Sequence, residues 1–387
     1  MAKTEDILIV GGGPVGMVLA LLLAKQNIAS TVLEARKQGA ANLDTRALAL
    51  SYGTKRIFDG LGIWQSVAAQ ATAINTIHVS QKGSFGRSLL KAQDYNQEAL
   101  GYVLSYGALC TALNAAMSEF FCIKVIDEAQ AEAITHNELA ATVRYLRQGE
   151  SFELSSVLAV LADGGRSLEE VAGLKRDTKE YGHDALISKV RAELSHNNIA
   201  YERFTPQGPM ALLPNGAHDF SLVWTGKKEV IAPLLDLSDA EFLAQFHAQF
   251  GDRVGRFLSV EKRMTFPLKL SKLQESDMQH LVVIGNAAQT MHPVAGQGFN
   301  VGIRDAQVLA KHISEASAPL GSAEMLANYR AERKTDTKNG LLFTDFLVNV
   351  FSNDIIGLPA IRSVGLGLFD VIKPVKKHLV RKMSFGK

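Results

Sequence analysis

The sequence predicts an α/β fold built around a dinucleotide-binding unit, and three observations carry that prediction. A buried-strand run, Ile7-Leu8-Ile9-Val10, leads straight into Gly11-Gly12-Gly13-Pro14-Val15-Gly16 and then a helical stretch over Met17–Lys25. A second short run, Ser30-Thr31-Val32-Leu33, ends on an acid, Glu34. Far along the chain a third run, Leu281-Val282-Val283-Ile284, again meets glycine at Gly285-Asn286 and again feeds a helix, through Gly296-Gln297-Gly298-Phe299-Asn300.

Each part of the first unit has a mechanical reason. Gly11 allows the tight turn, Gly13 lets the backbone approach a pyrophosphate, and Gly16 lets the helix pack against the strand. Pro14 and Val15 complete the loop, and the positive end of the helix faces the phosphates. Glu34, followed by Ala35 and Arg36, stands about where such folds place the acid that hydrogen-bonds a ribose diol. A carboxylate there disfavours a 2′-phosphate, which points to FAD or NAD rather than NADP. The late segment separates these two. FAD carries a ribityl chain and flavin beyond its pyrophosphate, so a second glycine-rich strand-to-helix cradle has a use that NAD does not give it. Free N–H groups of a helix beginning near Gly298 would stabilise negative charge on the N1/C2 carbonyl edge of the reduced flavin. Between the two cradles, the buried run Val157–Ala162 follows a hairpin from Ala140–Leu146 to Ser151–Leu154 and ends in Asp163-Gly164. Asp-Gly alone is a turn signal; between two flavin-type segments, Asp163 is a candidate for closing the nucleotide site.

Length and composition set the bounds. At 387 residues the chain exceeds one ordinary domain, so two lobes are expected. Its 47% hydrophobic and 21% charged residues are those of a globular protein. A net charge of +2 with no Lys/Arg-rich stripe gives no reason to expect nucleic acid. Cys110 and Cys122, without His at ligand spacing, argue against a zinc site or a disulfide framework and for a cytoplasmic setting. Neither a secretory signal nor a bilayer-spanning run is expected. The glycine turn interrupts Ile7–Ala24, and Asp345, Asp354, Arg362 and Asp370 break the apolar C-terminal region.

Together these segments resemble the single-component flavoprotein monooxygenases of the p-hydroxybenzoate hydroxylase class. Within that class the chain is most similar to the hydroxylases of ubiquinone biosynthesis, of the 2-polyprenyl-6-methoxyphenol hydroxylase type. The resemblance covers almost the whole chain. It includes Thr45–Ser51, Ala200-Tyr201-Glu202-Arg203-Phe204, Gly208–Pro214 and Leu347–Pro359, with Gly285–Asp305 the most specific part. It implies FAD as cofactor, NAD(P)H as transient reductant, and a polyprenylated phenol and O2 as substrates, with a C4a-hydroperoxyflavin as oxygen donor. By the same resemblance Gly11, Gly13 and Gly16 hold the pyrophosphate, Glu34 the adenosine ribose, and Arg46 the phosphate and ribityl region. Asp163 serves FAD and NAD(P)H handling, while Pro293, Gly296, Gly298 and Asn300 surround the isoalloxazine, with Gln297 and Phe299 in the same loop.

The chain also departs from the class. Asn286 stands where Asp usually binds the ribityl; its carbonyl oxygen can still accept, but the charge is gone. Gln289 replaces a common His, and Gly107 an Arg or Gln that faces FAD. Glu170 stands where relatives carry Arg, a change that would weaken NAD(P)H engagement. No Ser/His/Asp or Cys/His set stands out, as expected where the cofactor carries the difficult step. No catalytic base is assigned; His292, near the expected flavin, reads either as a candidate base or as a histidine packed before a proline and bonded to backbone.

The expected organisation is a Rossmann-like FAD-binding domain from residues 1–70, 105–172 and 280–335, interleaved with an α+β substrate domain from 71–104 and 173–279. A C-terminal helical region, 336–387, follows. The runs Ala73–Val79, Ala185–Leu194, Met210–Leu213, Phe220–Thr225 and Met264–Leu268 suggest an antiparallel sheet over the flavin. On it, Trp224 and Phe266 read as either pocket lining or core. The region Leu341–Lys387, with Lys373, Lys376, Lys377, Arg381, Lys382 and Lys387, reads either as a segment lying on an anionic membrane or as a helix packed on the core with a basic tail. A polyprenylated substrate favours peripheral attachment to the inner face of the membrane, and association with other ubiquinone-biosynthesis proteins. Other flavin reactions share this scaffold, including halogenation, epoxidation and polyprenyl reduction, and so would a non-catalytic protein that only holds FAD. Neither Trp64 nor Trp224 belongs to a Trp-x-Trp-x-x-Ile insertion of the halogenase kind.

Overall fold

The computed structural model describes residues 5–83, 86–169, 171, 174, 176–274, 278–290, 297–334, 336 and 373–386. The sheet that carries both glycine turns is centred on β1 (Glu5–Val10). Its order is β8 (Ile123–Ile126), β2 (Ser30–Leu33), β1, β11 (Glu150–Leu161), β10 (Ala141–Arg147) and β9 (Ala129–His136), with β18 (Leu281–Val283) beside the end of β11. β8, β2, β1, the end of β11 and β18 run parallel, while β9, β10 and the start of β11 form an antiparallel meander. Ile7 and Ile9 face one core with helices α1 (Pro14–Ala24), α2 (Tyr52–Leu61), α3 (Tyr106–Met117) and, after an intervening helix, Gln297–Ser314. Leu8 and Val10 face a second core beneath the meander. A strand covered on both faces has no polar side to show, which is why these runs are unbroken apolar.

Two expectations shift here. α1 starts at Pro14 rather than Met17, because Gly13 takes the N-cap position and the fixed φ of proline suits the first helical residue. The second limb of the hairpin and the buried run after it are one strand, β11, exposed in its first four residues and buried in its last four. That change of environment along one strand makes it look like two.

The second sheet has the order β19 (Gln289–Thr290), β17 (Met264–Leu273), β12 (Arg176–Ala192), β15 (Asp219–Lys227), β14 (Gly208–Asn215), β13 (Ile199–Thr205), β5 (Thr76–Gln81) and β6 (Arg87–Lys91), with β16 (Phe257–Val260) also on β12. It is antiparallel except where β13 meets β5 in parallel register. The run Ala73–Val79 divides at Asn75. β4 (Thr72–Ile74) joins β3 (Ala47–Ser51) and β7 (Gly101–Ser105) in a small third sheet, ordered β3-β7-β4, and β5 joins the second. The small sheet thus draws strands from both the 1–70 and the 71–104 segments. Helix α4 (Asp239–Phe250), opened by a capping box of Ser238 and Glu241, covers the outer face of the second sheet. Phe242, Phe246 and Phe250, at i, i+4 and i+8, pack there against Trp224, Phe220 and Leu222. Trp224 is therefore core at 1% exposure, and Phe266, on the opposite face, is 42% exposed.

Helix α5 (Gln297–Ser314) starts where the late glycine segment predicts, and α6 (323–334) packs behind it. Helix α7 (Lys373–Phe385) settles on the body of the protein by one face, Lys376, Val380 and Ser384. Val380 meets Leu90 and Leu100, and Lys376 Nζ donates to the Leu89 carbonyl at 2.6 Å. Val375, Lys377, His378 and Arg381 point outward and are exposed. The helix is thus packed on the core and still shows a basic outer face. Leu347–Pro359 lies outside the described residues, and no described helix is long and apolar enough to cross a membrane.

Candidate cofactor site

The first cradle is crowded behind and open in front. Gly11 adopts φ +112°, and a Cβ there would sit 2.6 Å from the Asp163 backbone. A Cβ on Gly16 would lie 2.1 Å from the Gly11 carbonyl oxygen, so α1 can reach β1 only with glycine at that point. Gly13 differs: among the described residues its added Cβ would meet only Tyr106 Oη within 4 Å, at 3.7 Å. Gly13 is also the N-cap of α1, which has no side-chain cap, so the first helical N–H groups are presented to that open space. Donors and dipole together fit a pyrophosphate.

Beside it lies a shallow cleft lined by Gly12, Glu34, Arg36, Cys110, Met117 and Val125. Glu34 is fixed at the end of β2 by its backbone N–H bonded to the Ile126 carbonyl at 2.9 Å. Its Oε1 accepts from Arg36 N at 3.0 Å and from Arg36 Nε at 2.7 Å, and this bond raises the Arg36 pKa above its ordinary value. Ala35, between them, is exposed. Burial pushes the Cys110 thiol up to about 11, so it forms a neutral wall of the cleft and no nucleophile.

Arg46 stands beside this cradle without entering it. Its guanidinium pairs with Asp44 at 2.6 Å and lies 5.3 Å from the centre of the Tyr106 ring, whose hydroxyl faces Gly13. Gly107 has a local reason: a Cβ there would fall 2.2 Å from the Asn42 carbonyl oxygen. The turn through Asn42 occupies the space that a larger side chain would need.

The second cradle meets the first through Val15. Added Cβ atoms on Gly285 and Gly302 would lie 3.4 and 3.0 Å from the Val15 methyl groups, so α5, the Gly285 turn and α1 are in contact. Asn286 is exposed, and its Oδ1 would lie 3.6 Å from a Cβ on Gly298, in the first turn of α5. Phe299 is half-buried against the main core. Asn300 is turned inward: Oδ1 accepts from Ser51 N at 2.7 Å and Thr54 Oγ1 at 2.8 Å, and Nδ2 donates to the Ala49 carbonyl at 2.9 Å. These contacts of its amide hang β3 and α2 on α5. Pro293, Gly296, His292 and Glu170 lie outside the described residues, as does the side chain of Gln297.

Asp163 packs its backbone against Gly11, while its side chain holds its own turn. Oδ1 accepts from Gly165 N at 2.9 Å, and Oδ2 accepts from Ser167 N at 2.7 Å and Ser167 Oγ at 2.6 Å. Arg176 ties this turn to the late one by donating from Nη2 to the carbonyls of Asn286, at 2.8 Å, and Ala287, at 3.3 Å. Behind α5 runs a buried ionic chain. Asp305 accepts from Gly285 N at 3.0 Å and from Arg333 Nε at 2.6 Å, and Asp336 bridges Arg333 and Arg304. Burial pushes the Asp305 carboxyl up, and the Arg333 charge opposes it. Sequence reasoning missed Arg176, Tyr106, Ser51, Thr54 and Arg333. Arg176 opens a charged run, Arg176-Asp177-Thr178-Lys179-Glu180, that reads as solvated strand. Among the described residues no His/Cys/Asp/Glu cluster could hold a metal ion.

Known proteins share this framework. The sequence matches the FAD binding domain family over residues 4–341. It is 34% identical to ubiquinone hydroxylase UbiL of Rhodospirillum rubrum, across 98% of this chain and 89% of that protein. It is 28% identical to 3-demethoxyubiquinol 3-hydroxylase of Escherichia coli, across 94% of each. Its fold is similar to that of p-nitrophenol 4-monooxygenase PnpA from Pseudomonas putida, with a TM-score of 0.82 over 99% of each chain at 16% identity. A match that runs unbroken through both glycine turns and all that lies between them makes the chain a member of the FAD binding domain family, an FAD-dependent monooxygenase.

Proposed function

We propose that the chain hydroxylates the ring of a polyprenylated phenol in ubiquinone biosynthesis, with NAD(P)H as reductant and O2 as oxygen source. One observation carries the reading: two helix N-termini, of α1 and α5, meet through Val15 at the Gly285 turn, in a chain 34% identical over nearly its whole length to a ubiquinone hydroxylase. When bound, FAD supplies the redox chemistry. The protein's part is to bind, orient and exclude water.

In this reading Gly11, Gly13, Pro14, Val15 and Gly16 receive the pyrophosphate on the N–H groups of α1. Glu34, Ala35 and Arg36 border the adenosine ribose, with Glu34 accepting from its hydroxyls. Arg46 and Asp163 flank the phosphates, Gly285 and Asn286 the ribityl chain, and Pro293, Gly296, Gln297, Gly298 and Phe299 the ring. Arg176 and Asn300 act at one remove, fastening the turns and β3 to α5. Segments 1–70, 105–172 and 280–335 form the cofactor domain, 71–104 and 173–279 the substrate domain, and 336–387 the C-terminal region. The outward face of α7, with Lys377, His378 and Arg381, supports peripheral contact with an anionic membrane that would hold a prenylated substrate. The reading extends to association with other ubiquinone-biosynthesis proteins, which co-purification would test.

The deciding experiment uses purified protein, its visible spectrum and NAD(P)H oxidation with a short-chain prenylphenol. A yellow protein whose reduction is stimulated by the phenol, and which inserts one labelled oxygen atom from O2, is expected. A yellow protein that reduces at the same rate with or without phenol and forms no hydroxylated product would sink the proposal.

A further inference from the structure

The two faces of the second sheet are unlike. On the outer face Met210, Leu212, Phe220, Leu222 and Trp224 are at most 1% exposed beneath α4. On the inner face, Ala211 of β14, Val223 of β15, Ile187 of β12 and Val79 of β5 keep accessible surface. The inner face looks toward the cofactor layer. Ala200 on β13 packs with Val103 and Ile74 of the small sheet, whose β3 hangs on Asn300. A half-covered apolar wall turned toward that layer is what a substrate cavity requires.

Glu202 sits on this wall. It follows Ala200 by two residues, about 6.6 Å along the strand on the same face, and is flanked by Ala211 of β14 and Val79 of β5. Among the described residues its carboxyl makes no hydrogen bond or ion pair. Its neighbour Arg203, on the outer face, is by contrast bonded to the Gln249 carbonyl and Ser80 Oγ. The carboxyl is half-buried on an apolar wall and unpaired, so it is open to a polar group that enters from the inner face. One strand over, on the same face, Gln81 Oε1 is a buried acceptor without a partner.

We propose that Glu202 is the group that receives the ring hydroxyl of the phenol and takes up its proton. This rests on the phenol-hydroxylase reading above. The phenol O–H bond breaks, its electron pair stays on the ring oxygen, and the proton bonds to a carboxylate oxygen of Glu202. When the product forms, the same proton returns to the ring oxygen. A phenolate is the more electron-rich ring and the better partner for an electrophilic oxygen. Burial alone pushes the Glu202 carboxyl up to about 8, close enough to a phenol's pKa to make it an effective base. Val79, Ala211, Ala200 and Phe204, which surround it on the sheet, carry no charge to superimpose a second titration.

The test uses the FAD-loaded full chain and Glu202→Gln, which keeps shape and polarity but cannot take the proton. FAD content should be unchanged. With a short-chain prenylphenol, kcat should fall on the order of 100-fold, with little change in KM. The rise of kcat/KM with pH toward a plateau above about 8 should disappear in Gln and persist in Glu202→Asp. A protonated-carboxyl infrared band, present in wild type and absent from the Gln variant, should shift when the phenol is added. A Gln variant with wild-type kcat and pH profile, or a carboxyl band indifferent to phenol, overturns the assignment. A band that shifts in a wild-type protein that hydroxylates nothing upholds the contact and overturns the hydroxylase reading instead.

Discussion

Gly13→Ala separates the needs of the fold from the needs of the cofactor. The backbone at Gly13, φ −74° and ψ 172°, is open to any residue, and among the described residues the added methyl would meet only Tyr106 Oη, at 3.7 Å. Alanine at an N-cap is poorer than glycine by roughly 1 kcal/mol or less. Reduced freedom of the unfolded chain offsets this by about 0.4–1 kcal/mol. The apoprotein should therefore keep its stability to within about 1 kcal/mol, a Tm change of no more than about 4 °C. The same methyl fills the open space before α1. Losing two hydrogen bonds to charged phosphate oxygens, at ~1.5–3 kcal/mol each, removes about 3 kcal/mol or more, which weakens FAD binding by about 100-fold or more. Gly16→Ala is the contrast, since its Cβ would lie 2.1 Å from the Gly11 carbonyl oxygen and should destabilise even the apoprotein by about 1–3 kcal/mol. The assay pairs thermal melting of the apoproteins, followed by circular dichroism, with titration of FAD by flavin fluorescence. A Gly13→Ala apoprotein that melts well below wild type, or that binds FAD as tightly as wild type, would refute the reasoning.

Arg333→Met leaves Asp305 buried with only the Gly285 N–H as partner, and urea unfolding should show a loss of about 3–5 kcal/mol. Part of that loss should be recovered in the double variant with Asp305→Asn. Glu202 gives a pH prediction that needs no substrate. Its folded pKa, about 8, lies above the ordinary value of 4.5, so between the two the native state holds a proton that the unfolded chain has released. Stability falls as pH rises through that window, and Glu202→Gln should be no more stable than wild type below pH 4.5 and more stable by a few kcal/mol above 8. Water that reaches the half-buried carboxyl will reduce this below the full ~1.4 kcal/mol per pH unit. Reversing two exposed charges, Lys377→Glu with Arg381→Glu, should weaken binding to anionic vesicles at least about 30-fold, given ~1 kcal/mol for each lost cation. Neutral vesicles should not distinguish the two proteins.

The parts of the site that were legible in the sequence are those where geometry leaves no choice of residue. β1 and β2 are covered on both faces, so their runs are unbroken apolar, and the close approaches at Gly11 and Gly16 admit no Cβ. The illegible parts are sideways fastenings between distant segments. Arg176 reaches carbonyls 110 residues further on, and Asn300 reaches Ser51 across 249. Such pairings leave no period, and a charged or polar residue in a strand looks the same whether it faces solvent or a distant turn. β11 misled because its surroundings change midway. Glu202 was visible as a residue, but alternation along a strand cannot say which face is packed solid and which is half-covered.

The pairing of β11 with β18 has a consequence for how the molecule is made. Ala159 pairs with Leu281, so the growing chain completes β11 about 120 residues before its neighbour exists, roughly 6–24 s at ~5–20 residues per second. Until then the end of β11 shows a bare strand edge, open to wrong partners. The Gly285 turn and α5 emerge later still, so the early glycine loop, already against Asp163, waits without its second cradle while synthesis continues. Flavin loading on this chain is therefore an event of late translation or after release, and ample FAD at that moment should decide how much of the protein matures rather than aggregates.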